Sequence, residues 1–291
     1  MDTVAPANAE AIEAWDGVLF DVFVKFRHLV TESPAPHGEV AFSANPPQRG
    51  DKALDIGCGF GDTAQRLAEL VGPEGSVLGV DSSERFVEAA RRDVEEAGVG
   101  NVRFKAGDVQ TMELGEDFAY AFSRFGVMFF ANPVAALRNV RESLRPGGRI
   151  CLVVWRQKPD NSWLYEAEQV ANRYLERPEV TDEPTCGPGP FSMANADTTS
   201  GILLAAGYED VQLRRSDLPY LVGRDIDEAL DLVMSLGPAG ELIRLAGDGA
   251  AALRPRLEAD LRDVLTEYAG PDGVIATSST WIVTARAPGA D

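Results

Sequence analysis

The sequence has little cysteine and little histidine. It holds 3 cysteines and 2 histidines in 291 residues, and Cys58, Cys151 and Cys186 are odd in number and widely separated. This pattern argues against a disulfide framework and against a zinc site. We therefore expect no metal ion, and the simplest location for the chain is a reducing cytoplasm.

Basic residues are also scarce. The chain has 27 lysines and arginines against 46 acidic residues, which gives a net charge of -19. With no basic cluster, such a chain repels nucleic-acid phosphates and anionic lipid surfaces, although a tRNA bound through a local patch remains an alternative. The first residues lack a basic stretch followed by an apolar one, and the longest apolar runs are too short to span a bilayer. A small molecule is therefore the expected partner, without nucleic acid or membrane.

A short apolar strand from Ala53 to Ile56 runs into a loop with glycines at positions 57, 59 and 61. A helix follows, with apolar positions 64, 67, 68 and 71 on one face. Glycines permit positive φ and let a ligand approach the backbone, and the free N–H groups of the helix then face that ligand. This order of elements predicts a nucleotide-type cofactor at the carboxyl end of the first strand of a doubly wound sheet.

Two cofactors compete for this loop. The dinucleotide pattern G-x-G-x-x-G requires a glycine where the chain has Asp62, and it has no use for Asp55 two residues before Gly57. The spacing here is D-x-G-x-G-x-G, and an acid at the strand tip suits a cationic group such as the methionine ammonium of S-adenosylmethionine. In these residues the sequence resembles the class I S-adenosylmethionine-dependent methyltransferases, and within them the ubiquinone or menaquinone biosynthesis-like (type 11) group.

Two further acids follow predicted strands. Asp81 lies where an acid that accepts hydrogen bonds from ribose hydroxyls is expected, and a helix N-cap is its alternative role. The resemblance implies that Asp108 accepts from the adenine amine, that the Val109 amide faces a ring nitrogen, and that the methionine end lies beside Ser123 and Arg124. A surface position for Arg124 remains equally open. The cofactor site that the resemblance implies comprises Asp55, Gly57, Cys58, Gly59, Gly61, Thr63, Asp81, Ser82, Asp108, Val109, Ser123 and Arg124.

Two apolar segments could hold the methyl acceptor. One is an amphipathic helix from about Ala9 to Val30. The other is the apolar run 123–130, which follows the fourth predicted strand at 117–122. Core packing accounts for part of both segments, but in the resembling enzymes a leading helix also covers the cofactor cleft. Asp16 could then face the acceptor. The expected acceptor pocket is lined by Trp15, Phe23, Phe125, Met128 and Phe129.

The alternation of strands and helices from Asp51 predicts an α/β fold. We expect a doubly wound, Rossmann-like, seven-stranded mixed sheet with helices on both faces and an added helical cap. The expected parts are a cleft-covering helical segment (1–50), a cofactor-binding core (51–224, with an insertion at about 156–196), the helical cap (225–272), and the last strand and tail (273–291). The cap is most simply a substrate lid, while a dimerisation element and extra core are alternatives. Both a monomer and a homodimer remain open.

The resemblance implies an enzyme that transfers a methyl group from S-adenosylmethionine to an O, N or C nucleophile of a small, apolar or aromatic molecule, leaving S-adenosylhomocysteine. An NAD-type oxidoreductase and a non-catalytic S-adenosylmethionine-binding regulator are the alternatives. A base is required only where the acceptor holds its proton tightly. His37 is the candidate, and it lies in the turn-rich stretch 33–38 that precedes the core. A surface position is the competing expectation for both His28 and His37.

Overall fold

The computed structural model describes residues 8–176 and 187–289. At its centre is one mixed sheet. Its strands are β1 (Lys52–Ile56), β2 (Ser76–Asp81), β3 (Val102–Ala106), β4 (Phe118–Arg124), β5 (Leu144–Trp155), β6 (Glu209–Gly223), β7 (Ala269–Gly270) and β8 (Gly273–Arg286). The strand order is β3-β2-β1-β4-β5-β8-β6, and the two-residue β7 pairs with β8 outside this path. β1 to β5 run parallel, and β8 lies antiparallel between β5 and β6. The predicted fold class is confirmed.

Helices cover both faces of the sheet. They are α1 (Ala9–Asp16), α2 (Val18–Lys25), α3 (Arg27–Glu32), α4 (Ala35–Ala44), α5 (Asp62–Val71), α6 (Glu84–Glu96), α7 (Pro133–Ser143), α8 (Ser162–Tyr174), α9 (Ala196–Ala205), α10 (Ile226–Ser235), α11 (Gly237–Ala246), α12 (Asp248–Ala251) and α13 (Arg254–Thr266). Side chains alternate along a strand, so neighbouring residues face opposite layers. Ile150 and Leu152 of β5 pack with α7 to α13, whereas Cys151 and Val153 pack with α4 to α6.

The N-terminal segment differs from the single helix that the sequence pattern predicts. It is divided into α1, α2 and α3, because Gly17 has ψ -113° and Phe26 has ψ 23°, and neither angle continues a helix. The predicted turn-rich stretch 33–38 is instead the start of α4 from Ala35 onward. Pro34 and Pro36 are tolerated there because the first N–H groups of a helix have no partner within it.

The cap, residues 225–272, contains the predicted helices, and they pack into the main core. Leu257, Leu261 and Leu265 of α13 are fully buried in the same apolar cluster as Leu152 of β5. β6 and β8 pair along a long segment, from Glu209↔Arg286 to Gly223↔Val274. The cap is therefore joined to the sheet by a long strand pair and a shared core.

No helix in residues 8–176 and 187–289 combines the length and the apolar character that crossing a bilayer requires.

Candidate functional site

A cavity of about 490 Å³ opens at the edge of the sheet where β1 to β5 end. The loops after these strands form one wall. The N-terminal helices α1 and α2, the cap helices α10 and α11, and residues 187–191 contribute the others. Ligands of open α/β sheets bind at this edge, and the volume lies in the range of small-molecule sites. Within the insertion expected at about 156–196, residues 177–186 lie outside the described residues.

The loop after β1 uses its glycines in different ways. Gly57, Gly59 and Gly61 have φ of 66°, 52° and 80°. A Cβ at Gly57 would lie 2.7 Å from the Cα of Gly126, so this glycine permits close approach of the loop after β4. Gly59 lines the cavity, and a Cβ there would meet no atom within 4 Å. A Cβ at Gly61 would collide with Phe104 in the core, and Gly61 does not line the cavity.

Asp81 organises this loop from the tip of β2. Its Oδ2 accepts a hydrogen bond from the Gly59 N–H (2.9 Å) and its Oδ1 accepts one from the Ser83 N–H (3.0 Å). Ser83 itself is the N-cap of α6, where its hydroxyl accepts from the Phe86 N–H, so the alternative capping role belongs to Ser83. Burial raises the pKa of the Asp81 carboxyl. Asp81 and Ser82 both line the cavity, as do Cys58 and Thr63.

Asp55 is enclosed at the end of β1. Its Oδ2 has no hydrogen-bond partner in the described part of the chain. Burial raises the pKa of this carboxyl well above its ordinary value, Asp62 raises it further, and Arg124 opposes both effects. Asp55 is not itself part of the cavity wall. An unpartnered buried carboxylate is costly, so a cationic group bound at the neighbouring glycine loop would stabilise it.

The N-terminal segment reaches the site through Asn8. Its Nδ2 donates to Asp108 Oδ1 (2.8 Å), which also accepts from the Gln110 N–H (2.9 Å). The Oδ1 of Asn8 accepts a hydrogen bond from the Ala131 N–H (3.0 Å). Asp108 and Val109 line the cavity beside it. Sequence analysis missed Asn8, because no local pattern marks a contact between residues 100 positions apart.

Arg124 and Ser123 end β4 in different surroundings. Arg124 lines the cavity, and its Nη2 pairs with Asp62 Oδ2 at 2.5 Å. Its side chain is only 10% exposed, so it is a mostly enclosed cation and not the surface cation of the alternative interpretation. The Ser123 side chain is fully buried, and its Oγ donates to the Ile56 carbonyl (2.7 Å). This hydroxyl links β4 to β1, and Ser123 does not line the cavity. The expected contact between the Ser123 side chain and the cofactor is therefore wrong.

Aromatic side chains line the other part of the cavity. Trp15 meets Phe23 and Phe129 edge-on at centroid distances of 5.3 and 4.8 Å. All five residues expected in the acceptor pocket line this cavity: Trp15, Phe23, Phe125, Met128 and Phe129.

Asp16 is the exception among the N-terminal residues considered for this pocket. Its Oδ1 accepts from the Ser83 hydroxyl (2.7 Å) and from the Arg85 N–H (3.0 Å). It therefore joins α1 to α6 and does not line the cavity, which corrects its expected place beside the acceptor.

Several wall residues were not found from the sequence. Trp155, Trp163 and Tyr220 have the pattern of ordinary core positions and yet line the cavity. The cap adds Glu241 and Arg244, which pair at 2.9 Å. Their elements come together only in the folded chain, so spacing along the sequence carried no signal for them.

The family described as "Methyltransferase domain" matches residues 47–197, slightly more than half of the chain. The chain belongs to this methyltransferase family. The expected class I, S-adenosylmethionine-dependent methyltransferase is thereby confirmed, together with the cofactor. A demethylmenaquinone methyltransferase of Geobacillus kaustophilus is 36% identical over 107 residues, covering 36% of this chain and 46% of that protein. This chain spans about half the length of these curated relatives.

Solved structures share the fold of the methyltransferase at low sequence identity. The YcgJ protein of Bacillus subtilis has a TM-score of 0.54 and 19% identity over 87% of this chain and 98% of that one. A phosphoethanolamine N-methyltransferase 2 of Haemonchus contortus, in complex with phosphomonomethylethanolamine and S-adenosylhomocysteine, has a TM-score of 0.51 and 17% identity, covering 88% of this chain and 53% of that one.

His37 of the methyltransferase is neither exposed nor in the cavity. It lies in α4, is fully buried, and is not part of the cavity wall. Its ring nitrogens contact the hydroxyls of Ser216, Ser278 and Thr280 at 3.2, 2.7 and 3.0 Å. The expected surface position is wrong, because the stretch that reads as a turn is helical and packs on β6 and β8. The geometry also does not bring His37 to an acceptor.

His37 should make stability depend on pH. Burial, and to a lesser degree Arg124, lowers the pKa of its imidazole from 6.5 to about 4. Between these values the unfolded chain binds a proton that the folded chain does not, so the free energy of unfolding falls as pH falls. We expect this contribution to reach about 3 kcal/mol.

Urea unfolding at about pH 7 and about pH 4.5 measures this effect. The difference between the two pH values should be smaller in His37→Gln than in the unchanged chain. His28→Gln is the matched control, because the His28 side chain is 37% exposed. Equal pH dependence in His37→Gln and the unchanged chain would contradict the assignment.

Proposed function

We propose that the protein transfers a methyl group from S-adenosylmethionine to an O, N or C nucleophile of a small, apolar or aromatic acceptor. One observation carries the proposal: a single continuous cavity joins the glycine loop, Asp81 and Asp108 to the aromatic wall around Trp15 and Phe125. A donor and an acceptor can therefore meet without leaving the protein. This arrangement also favours methyl transfer over a regulator that only binds the cofactor.

The first part of the cavity fits the cofactor. Gly59 leaves space where a side chain would project, and Asp55 has an unpartnered oxygen next to the loop. We assign the ribose to Asp81, the adenine to Asp108 and Val109, and the methionine end to the loop, with Arg124 beside it. Cys58, Thr63 and Ser82 complete this wall.

The second part of the cavity fits the acceptor. Aromatic rings and Met128 provide an apolar surface that excludes water, and exclusion of water and alignment supply most of the acceleration in such a transfer. When bound, S-adenosylmethionine supplies an electrophilic methyl group on a sulfonium. Neither histidine lines the cavity, so neither is placed to take a proton from the acceptor. The name of the demethylmenaquinone methyltransferases makes a quinone-type ring one acceptor to test.

The proposed parts of the chain follow from the same cavity. The N-terminal segment lines the cavity at positions between Asn8 and Pro34 and would cover the cofactor there, and the cap supplies part of the acceptor wall through α10 and α11. The buried free thiols of Cys58 and Cys151 support a reducing compartment such as the cytoplasm.

Calorimetry tests the cofactor assignment. S-adenosylmethionine and S-adenosylhomocysteine should bind, whereas NAD should not, because Asp62 replaces the third glycine of the dinucleotide pattern. Transfer of a labelled methyl group to the small molecules of a cell extract then tests the activity. Tight NAD binding without binding of S-adenosylhomocysteine would refute the proposal.

A further inference from the structure

Tyr220 of β6 is a polar residue in the aromatic part of the cavity whose hydroxyl has no assigned role. Only 6% of its surface is accessible, and it lines the cavity. Its hydroxyl makes no hydrogen bond within residues 8–176 and 187–289, and it is not among the fully enclosed polar atoms without a partner. The accessible part of Tyr220 therefore includes the hydroxyl, and Tyr220 is a wall residue of the cavity.

The surroundings of Tyr220 suit a flat ring. Its own ring stacks on Trp163 with centroids 5.2 Å apart and an interplanar angle of 25°. The centroid of the Trp155 ring lies 6.1 Å from that of Tyr220, and Trp155 stacks on Phe125 at 4.4 Å. All four rings line the cavity. Offset stacking against such rings selects planar, aromatic ligands.

The hydroxyl would act as a hydrogen-bonding group and not as a base. Burial raises the pKa of Tyr220 above its ordinary value, and the nearby Arg124 opposes this only partly. The phenol therefore keeps its proton at neutral pH. The hydroxyl is accessible and makes no hydrogen bond within the described residues, so it is free to pair with a polar atom of a bound ligand.

We propose that Tyr220 holds an oxygen substituent of a planar aromatic acceptor, an inference that rests on the proposed methyl transfer. The ring of the acceptor lies against Trp155 and Trp163, and its hydroxyl or carbonyl oxygen pairs with the Tyr220 hydroxyl. The acceptor class is thereby narrowed from apolar molecules in general to oxygenated aromatic ones.

Tyr220→Phe tests this proposal, with Tyr208→Phe as the matched control. The Tyr208 hydroxyl also has no partner in the described chain, but Tyr208 does not line the cavity. The probes are 2-naphthol and naphthalene, added to protein saturated with S-adenosylhomocysteine. Quenching of tryptophan fluorescence reports binding, because Trp15, Trp155 and Trp163 line the cavity.

In Tyr220→Phe the affinity for 2-naphthol should fall roughly two- to tenfold, while that for naphthalene stays unchanged. Tyr208→Phe should bind both probes like the unchanged chain. An equal loss for both probes, no loss for either, or no probe binding at all would overturn the inference. Weaker S-adenosylhomocysteine binding in Tyr220→Phe would assign the hydroxyl to the cofactor and also overturn it. Failure of the unchanged chain to bind S-adenosylhomocysteine would instead contradict the proposed function.

Discussion

Replacing Gly57 with alanine should lower the free energy of unfolding by about 2–5 kcal/mol, whereas Gly59→Ala should lower it by only about 1–2 kcal/mol. Both residues have positive φ, which costs about 1–2 kcal/mol for an alanine. Only at Gly57 does the new Cβ also meet backbone, at 2.7 Å from the Cα of Gly126. Backbone on both sides cannot yield as a flexible side chain would.

The affinity of the folded protein for S-adenosylhomocysteine should instead fall more in Gly59→Ala than in Gly57→Ala. Gly59→Ala keeps the fold but places a methyl group in the cavity, where the cofactor is proposed to lie. Urea unfolding measures the first effect, and calorimetry with S-adenosylhomocysteine on the folded fraction measures the second. Equal free energies of unfolding for the two variants would contradict the structural role of Gly57. Unimpaired S-adenosylhomocysteine binding by Gly59→Ala would contradict the role of Gly59 in the cofactor site.

Asp81→Ala should weaken S-adenosylhomocysteine binding by roughly ten- to a hundredfold. A hydrogen bond to a charged acceptor contributes about 1.5–3 kcal/mol, which corresponds to that range of affinity. The change also frees the Gly59 and Ser83 N–H groups that Asp81 holds, so the loop loses part of its order. Both effects act in the same direction on the affinity.

Asp16→Ala is the matched control for this variant. Asp16 also accepts a backbone hydrogen bond at the start of α6, from the Arg85 N–H, but it does not line the cavity. It should bind S-adenosylhomocysteine like the unchanged chain, provided that circular dichroism shows both variants to be folded. Full affinity in Asp81→Ala would contradict both the ribose assignment and the effect of loop order on binding.

The fold could be predicted from the sequence because its signals are local. The glycine loop, the acid at the end of β2 and the alternation of strands and helices each lie within a short window. Asp81 and Asp108 line the same cavity because parallel strands bring their carboxyl ends to one edge of the sheet. Such a motif carries both the fold and the part of the site attached to it.

The remaining features depend on contacts between distant parts of the chain. His37 is buried by Ser278, which lies 241 positions away. Nothing near His37 in the sequence indicates this, and its two prolines instead suggest a turn. Tyr220 and Trp163 have apolar neighbours whether they face a core or a cavity, so pattern alone does not separate the two. The acceptor side of the site is therefore harder to predict than the cofactor side.

The cap and the sheet share one apolar core, and this limits which cavity residues can change when the preference for an acceptor changes. Trp155, Trp163 and Leu242 are both cavity wall and buried core. A substitution that reshapes the pocket at these positions also removes core packing, and large-to-small core changes cost about 2–5 kcal/mol. Pro188 and Pro190 line the same cavity without belonging to that core, so they can vary at lower cost, whereas Gly187 and Gly189 have φ of 91° and 95°. We expect new acceptor preferences to arise first at the two prolines and to reach the rings only with compensating changes elsewhere.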